Sequence, residues 1–359
     1  KKTSIKYTNR PSDLHDCNIY IVTVPTPVTK KNLPDLNPIT KATLCISKYL
    51  KKKDIVIYES TVFPGVTEEY CAPLLERKSK LKFNVDFFCG YSPERINPGD
   101  KLHTLEKIIK IVSASNDWSL RIIKNIYGKI IKNKIYIAKN IRTAEAAKII
   151  ENTQRDLNIS LINECAILFN KMNIGIFDVL KAASTKWNFL NFKPGLVGGH
   201  CIGVDPYYLT YKAKQIGIKP KVILAGRKVN NYMPTHVAKI LLKNLKKKTK
   251  KKNFKIIIFG ATFKENISDI RNSKILEVGK ILKKKGHNIH FIDYNIQELK
   301  DHILVKKLKK NTYDGILLGV PHKRYLKMQI SKLRKIAKKN HVIFDITNKY
   351  GIKKEILSL

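Results

Sequence analysis

No stretch of this sequence stays apolar for the ~18–20 residues that a membrane-spanning helix needs, so no membrane partner is expected. The opening Lys1-Lys2-Thr3 has no apolar segment behind it and no initiator Met. No secretory signal is expected, and a processed or partial chain is. Cysteine is sparse and scattered: Cys17, Cys45, Cys71, Cys89, Cys165 and Cys201 form no CxxC pair and none lies near a His at zinc-finger spacing. No metal is expected, and free thiols in a reducing cytoplasm are. Acidic residues are also few, 28 against 70 Lys and Arg, giving a net charge of +42. Nearly all the excess is Lys, in runs such as Lys51-Lys52-Lys53, Lys246-Lys247-Lys248 and Lys283-Lys284-Lys285. No zinc-finger, RRM-type or heptad pattern accompanies it, so a specific nucleic-acid partner is not implied. A genome rich in A and T would enrich Lys, Ile and Asn without such a partner. Weak binding of polyanions and a preference for anionic substrates follow from the charge in either case. Arg is scarce against Lys, so Arg95, Arg155, Arg227 and Arg271 stand out.

What is present is a substantial core. The chain has 359 residues, of which 43% are hydrophobic, enough for two or three domains. Short apolar runs bounded by turn residues read as buried parallel strands at 18–24, 54–59, 85–90, 107–112 and 134–138, with helical patterns between them at 37–49 and 67–76. From 143 to about 172, and again from about 220 to 245, apolar residues recur at helical spacing, with Pro234 placed to kink the second stretch. A Lys-rich link at 246–252 follows. Strands return at 254–259, 288–292, 315–320 and 342–346, with helices near 274–285 and 330–339. The expectation is an α/β chain: two Rossmann-like doubly wound domains joined by a mainly helical middle domain. The boundaries are 1–139, 140–248 and 253–359.

Six segments carry candidate chemistry. In Val197-Gly198-Gly199-His200-Cys201-Ile202-Gly203-Val204-Asp205-Pro206, the glycines, with Gly195 just before them, let backbone approach a ligand and aim N–H groups at it. A thiolate at Cys201 would be stabilised there, as a nucleophile requires. A buried structural Cys in a Gly-rich turn is the competing reading. Asp205, four residues on, could orient a base or a water. Lys148 and Asn152 share one face of a helix, extended by Glu145 and Arg155, although i,i+4 pairs on a solvated face would look the same. Thr61, in Glu59-Ser60-Thr61-Val62-Phe63-Pro64-Gly65, and Glu94, in Ser92-Pro93-Glu94-Arg95, follow strands, where α/β sheets bind ligands. Gly260-Ala261-Thr262-Phe263-Lys264 and Asp269-Ile270-Arg271-Asn272-Ser273 fit a phosphate site opening onto a helix N-terminus, with Lys264 and Arg271 supplying charge.

These segments, in this order, resemble the UDP-glucose/GDP-mannose dehydrogenase family, and within it the branch acting on UDP-N-acetylhexosamines to make uronic acids for surface polysaccharides. The resemblance runs from about Asp16 to the C-terminus. Val22-Thr23-Val24-Pro25-Thr26-Pro27, Gly90-Tyr91-Ser92-Pro93-Glu94-Arg95-Ile96-Asn97-Pro98-Gly99, Thr143-Ala144-Glu145-Ala146-Ala147-Lys148, Gly198-Gly199-His200-Cys201 and Asp205-Pro206-Tyr207-Tyr208-Leu209-Thr210 carry it, with the Thr61 segment. It implies NAD as cofactor, a UDP-sugar substrate and a homodimer formed through the helical middle. It implies Cys201 as nucleophile, Lys148 and Asn152 on the developing oxyanion, Asp205 in the base and water steps, and Glu94 and Thr61 placing water and substrate. Thr23, Pro25, Thr61 and Arg271 would contact the cofactor. Glu94, Arg95, Lys148, Asn152, Gly198, Lys264 and, from a neighbouring subunit, Arg227 would contact the substrate.

One departure stands out. The family opens on a strand and a GxGxxG-type loop for the dinucleotide pyrophosphate, and no such loop precedes Asn18. The first mononucleotide-binding half is therefore expected to be missing, the first domain incomplete, and NAD binding poor or absent. An inactive or degenerate UDP-sugar-binding protein is the alternative reading.

Overall fold

Runs of β-branched residues become strands here because both of their faces are covered. Ile55-Val56-Ile57-Tyr58 is buried at every position, whereas Ile19-Tyr20-Ile21-Val22 alternates exposed and buried, the pattern of an edge. The structure, a computed structural model, describes residues 5–97, 99–351 and 355–359. Lys1-Lys2-Thr3 and Pro98 of the Gly90–Gly99 motif lie outside the described residues.

In chain order the first elements are β1 (Ile19–Val22), α1 (Asn37–Ile46), β2 (Ile55–Tyr58), α2 (Ala72–Ser79), β3 (Phe88–Tyr91), β4 (Lys110–Ala114), α3 (Asp117–Gly128) and β5 (Ile135–Ile137). The helices α4 (Ile141–Lys171), α5 (Ile176–Ala183), α6 (Asp205–Gln215) and α7 (Lys221–Lys248) follow. Then come β6 (Lys255–Phe259), α8 (Lys274–Lys284), β7 (Asn288–Ile292), β8 (Ile303–Leu304), β9 (Tyr313–Leu318), α9 (Lys323–Leu326), α10 (Ile330–Ile336), β10 (Ala337–Asp345) and β11 (Ile356–Ser358). The chain forms two compact units, residues 1–152 with 204–220, and residues 153–203 with 221–359. The long helical stretch is shared between them, since α4 crosses from the first to the second.

The first unit is built on a five-stranded sheet of order β1-β2-β3-β4-β5. The register pairs Ile19 with Ile55 and Ile55 with Phe88, both parallel. Its core joins Val56 and Tyr58 of β2 to Ile141, Ala144 and Ile149 of α4 and to Tyr208 of α6, so the apolar stripe of α4 and the buried face of α6 are fixed against one sheet. The larger aliphatic ones, Val56, Ile141 and Ile149, each contribute about 1.5–3 kcal/mol by leaving water. The second unit has a six-stranded, all-parallel sheet of order β11-β10-β9-β6-β7-β8. Met233, Val237, Leu241 and Leu245 of α7 cover one face with Val278 and Leu282 of α8, and Leu333 and Ile336 of α10 cover the other.

The α/β architecture stands as expected, with three local corrections. First, β4 runs antiparallel to β3 rather than parallel. Among the described residues of the intervening 92–109 there is no helix, so no helical crossover carries the chain back before β4 begins. Second, Lys246, Lys247 and Lys248 form the last turn of α7 instead of opening a link. Lys is a good helix former, and cations at a helix C-terminus meet the negative end of the dipole. The helix also runs unbroken through the buried Pro234. Third, the helix expected over 330–339 ends at Ile336, because Ala337 already pairs with Tyr313 on β9. Four helices, α3, α5, α6 and α9, were not anticipated.

Candidate active site

In the first unit, α4 and the start of α6 bring three of the expected residues together. Lys148 and Asn152, one turn apart on α4, both face Asp205, which opens α6 with Pro206 beside it. Asn152 donates from Nδ2 to Asp205 Oδ2 at 2.5 Å, and Lys148 Nζ lies 4.0 Å from the same oxygen. Asp205 is only 2% exposed and Lys148 7%. Burial pushes the Asp205 carboxyl up to about 6, against the opposing pull of Lys148 and Asn152. A buried carboxyl titrating near neutrality, held by one amide and one ammonium, is suited to taking and returning a proton.

Glu145 does not share that task, although it lies on the same helix. Its Oε2 accepts from Gly65 N at 2.6 Å, and its Oε1 accepts from Thr67 N at 3.0 Å and Thr67 Oγ1 at 2.7 Å. It therefore closes the turn that follows Thr61. Burial pushes its carboxyl up to about 7, although those donors oppose the shift. Ser60 donates to Val24 O at 2.7 Å and so ties the Thr61 loop to the end of β1, where Thr23 and Pro25 are exposed.

The Ser92-Pro93-Glu94-Arg95 loop is held from below. Arg95 forks onto Glu151, with Nη2 2.8 Å from Oε1 and Nε 3.2 Å from Oε2, and donates from Nη1 to Ile109 O at 2.8 Å. Glu94 is exposed and accepts from Ile96 N at 2.5 Å. Beneath the loop Lys110, 1% exposed, donates to Pro93 O at 3.2 Å and pairs with Glu59 Oε1 at 3.3 Å, while Tyr127 donates to that same oxygen. This buried cluster was missed from sequence. Its one legible signal is a Lys inside the apolar run Ile108-Ile109-Lys110-Ile111-Val112.

In the second unit the Cys201 loop is clamped. Gly199 has φ +85°, and a Cβ there would lie 2.7 Å from the Phe263 ring. At Gly198 a Cβ would lie 2.6 Å from Asn272 O. Asn272 also donates from Nδ2 to Gly199 O at 3.2 Å. His200 Nδ1 is 3.8 Å from Asp269 Oδ2, and its ring meets Phe263 edge-on. Asp269 is gripped by Arg271, with Nη2 2.6 Å from Oδ2. That fork holds the Arg271 guanidinium firmly protonated, and charge on Cys201 adds to the effect, so the thiol sits in the field of a fixed cation.

The same unit carries a cavity of about 250 Å³ at the C-terminal ends of β6, β9 and β10 and the N-terminus of α8. Lys193, Lys264, Lys274 and Lys349 line it with Gly195, Thr262 and Ser273. Backbone N–H groups at a helix N-terminus, together with ammonium groups, suit a phosphate-bearing ligand. Arg227 does not line this cavity. It is 3% exposed, donating from Nη1 to Asp156 Oδ1 at 2.6 Å and from Nη2 to Asn231 Oδ1 at 2.8 Å.

The comparisons with known proteins match all of these regions. The model of the UDP-glucose/GDP-mannose dehydrogenase family NAD binding domain matches residues 2–131, that of the central domain 142–232, and that of the UDP binding domain 257–351. The chain belongs to the UDP-glucose/GDP-mannose dehydrogenase family. It is an NAD-dependent UDP-sugar dehydrogenase. It is 47% identical to the UDP-N-acetyl-D-glucosamine 6-dehydrogenase of Pseudomonas aeruginosa over 350 residues, covering 96% of this chain and 83% of that protein. The same identity holds with the Salmonella typhi enzyme of that name, over 95% of this chain and 82% of that one. The solved UDP-D-ManNAc dehydrogenase of Pyrococcus horikoshii superposes with a TM-score of 0.88 at 29% identity, over 98% of this chain and 83% of that one. The expected loss of the cofactor half is not confirmed, because the NAD-binding model is present over 2–131. Among the described residues no helix is long and apolar enough to cross a membrane, and no cluster of His, Cys, Asp or Glu could hold a metal ion.

Proposed function

We propose that this dehydrogenase oxidises C6 of UDP-N-acetylglucosamine twice, giving the uronic acid for surface-polysaccharide synthesis. The buried trio of Asp205, Asn152 and Lys148 carries the reading. It supplies a proton acceptor near neutral pH together with an oxyanion-stabilising amide and ammonium. Identity of 47% to the two 6-dehydrogenases supports the choice of sugar.

Asp205 accepts the proton of the C6 hydroxyl, directly or through a water, as the first hydride leaves. Cys201 adds to the resulting aldehyde as thiolate, and its C–S bond gives a thiohemiacetal. Lys148 and Asn152 donate to the oxygen, which carries the developing negative charge. Loss of the second hydride and a proton leaves a thioester on Cys201. Water, placed by Glu94 and Thr61 and deprotonated by Asp205, breaks the C–S bond and returns the thiolate with the carboxylate. Thr23, Pro25, Thr61 and Arg271 would hold NAD, which supplies the hydride acceptor in both oxidations when bound. The open, polar ends of β1 and β2 suit such a ligand. Lys264 and the α8 N-terminus receive the diphosphate, and Gly198 gives the sugar room. Arg95 and Arg227 serve by fixing their loops and helices. Residues 140–248 form the homodimer contact, a reading supported by the exposed Leu161, Leu168 and Met172 on or just after α4.

The sugar assignment is tested by comparing kcat/KM for UDP-N-acetylglucosamine, UDP-N-acetylgalactosamine, UDP-N-acetylmannosamine and UDP-glucose. The expected result is a preference of at least about tenfold for the first, roughly 1.4 kcal/mol of differential transition-state binding. A preference for UDP-glucose or for the mannosamine sugar would overturn it.

A further inference from the structure

A hydrogen-bonded polar cluster outside the proposed chemistry sits behind the lysine-lined cavity. Gly319, Val320 and Pro321 form one wall of that cavity, and Thr262, Phe263, Lys264 and Glu265 form another. His322, 2% exposed, follows directly on the first wall and reaches the second. The backbone N–H of Asn266 donates to His322 Nδ1 at 2.9 Å, and a backbone amide can only donate. Nδ1 is therefore the bare nitrogen and the ring proton lies on Nε2, which is 3.1 Å from Asp293 Oδ2 and 3.3 Å from Thr262 Oγ1. Asp293, 5% exposed, also accepts from Ala261 N at 2.7 Å and from Asn295 N at 2.8 Å. Thr262 donates onward to Lys264 O at 2.8 Å. The stretch from Ala261 to Asn266 is thus pinned at both ends and in its middle by one imidazole and one carboxylate.

We propose that His322 and Asp293 are positioning residues for nucleotide-sugar binding, locking the Thr262–Glu265 wall and with it Lys264 in the geometry that receives the diphosphate. Neither group takes part in the oxidation. The inference rests on the UDP-sugar reading of this cavity. Burial alone pushes the Asp293 carboxyl up, but His322 and the two backbone donors outweigh it and hold the group ionised, as such a clamp requires. A merely packing role would cost stability and leave the affinity of the folded protein unchanged.

The test uses the whole protein, with UDP affinity read by calorimetry and steady-state kinetics read for both substrates. His322→Leu should weaken UDP binding and raise the KM for the UDP-sugar about tenfold or more, as expected when a buried acceptor and donor are lost together. The kcat at saturation and the KM for NAD should stay within about threefold. His322→Asn, which keeps an acceptor on the Nδ1 side, should recover most of the affinity. Unchanged UDP affinity in folded His322→Leu overturns the inference and leaves the functional reading standing. A wild-type protein that binds no UDP overturns the functional reading, and the inference with it. Imidazole ¹⁵N shifts of the wild-type protein give a check independent of the folding of any variant. A proton on Nε2 and none on Nδ1 is expected for His322, and an Nδ1-protonated ring would overturn the clamp.

Discussion

Asp205, the proposed proton acceptor, is buried against Asn152 and Lys148. Its ordinary value of 3.8 rises to about 6 in the fold, mainly through burial. For a carboxyl, a raised value means that the folded state holds its proton more tightly than the unfolded one. Asp205 therefore favours folding below about pH 6 and loses that contribution as pH rises through 6. Asp205→Asn removes the dependence. The stability difference between variant and wild type should move in the variant's favour by about 1–2 kcal/mol between pH 5 and pH 8, read by urea denaturation. In the same variant kcat should fall by about 10²-fold or more. The wild-type rate should also decline below about pH 6, where the carboxyl is protonated. A variant with full activity would remove Asp205 from the mechanism. Much of this site was legible in sequence, because Lys148, Asn152 and Asp205 lie in compact motifs. Glu145 was legible only as a member of the same helix face, since the groups it caps lie 80 and 78 residues away. Arg95 and Arg227 stood out by their scarcity, but their partners Glu151 and Asp156 come from the folded packing.

At the scale of elements, the Gly198–Cys201 loop is a tightly constrained connection. Gly199 combines φ +85° with a Phe263 ring atom 2.7 Å from where a Cβ would stand. Gly199→Ala should cost about 1–3 kcal/mol and depress kcat by displacing Cys201, the proposed nucleophile, two residues on. Gly195, with nothing within 4 Å of its Cβ position, should accept Ala with little change in melting temperature. Equal melting temperatures for both variants would contradict the clamp. Most strands were readable because buried Ile and Val runs have few other uses, but the short β8 and β11 were not. The α6 helix was not. It opens Asp205-Pro206-Tyr207-Tyr208 and is buried at all four positions, so it shows little of the one-sided periodicity on which helix reading depends. The reversed direction of β4 was hidden for a different reason, because strand direction is set by the connection and not by the strand's own residues.

At the scale of the whole molecule, two α/β sheets each present ligand groups at the C-terminal ends of their strands. One carries the expected cofactor contacts and the other the lysine-lined cavity. The net charge of +42 surrounds both with a field that attracts a dianionic sugar nucleotide. The central claim is that these parts perform one four-electron oxidation through Cys201. The direct measurement is NADH formed per UDP-N-acetylglucosamine consumed, followed at 340 nm, for wild type and Cys201→Ser. The account predicts two NADH per sugar with no free aldehyde for wild type, and in the variant loss of the second oxidation with no thioester. One NADH per sugar in the wild type, or two in the variant, would contradict it.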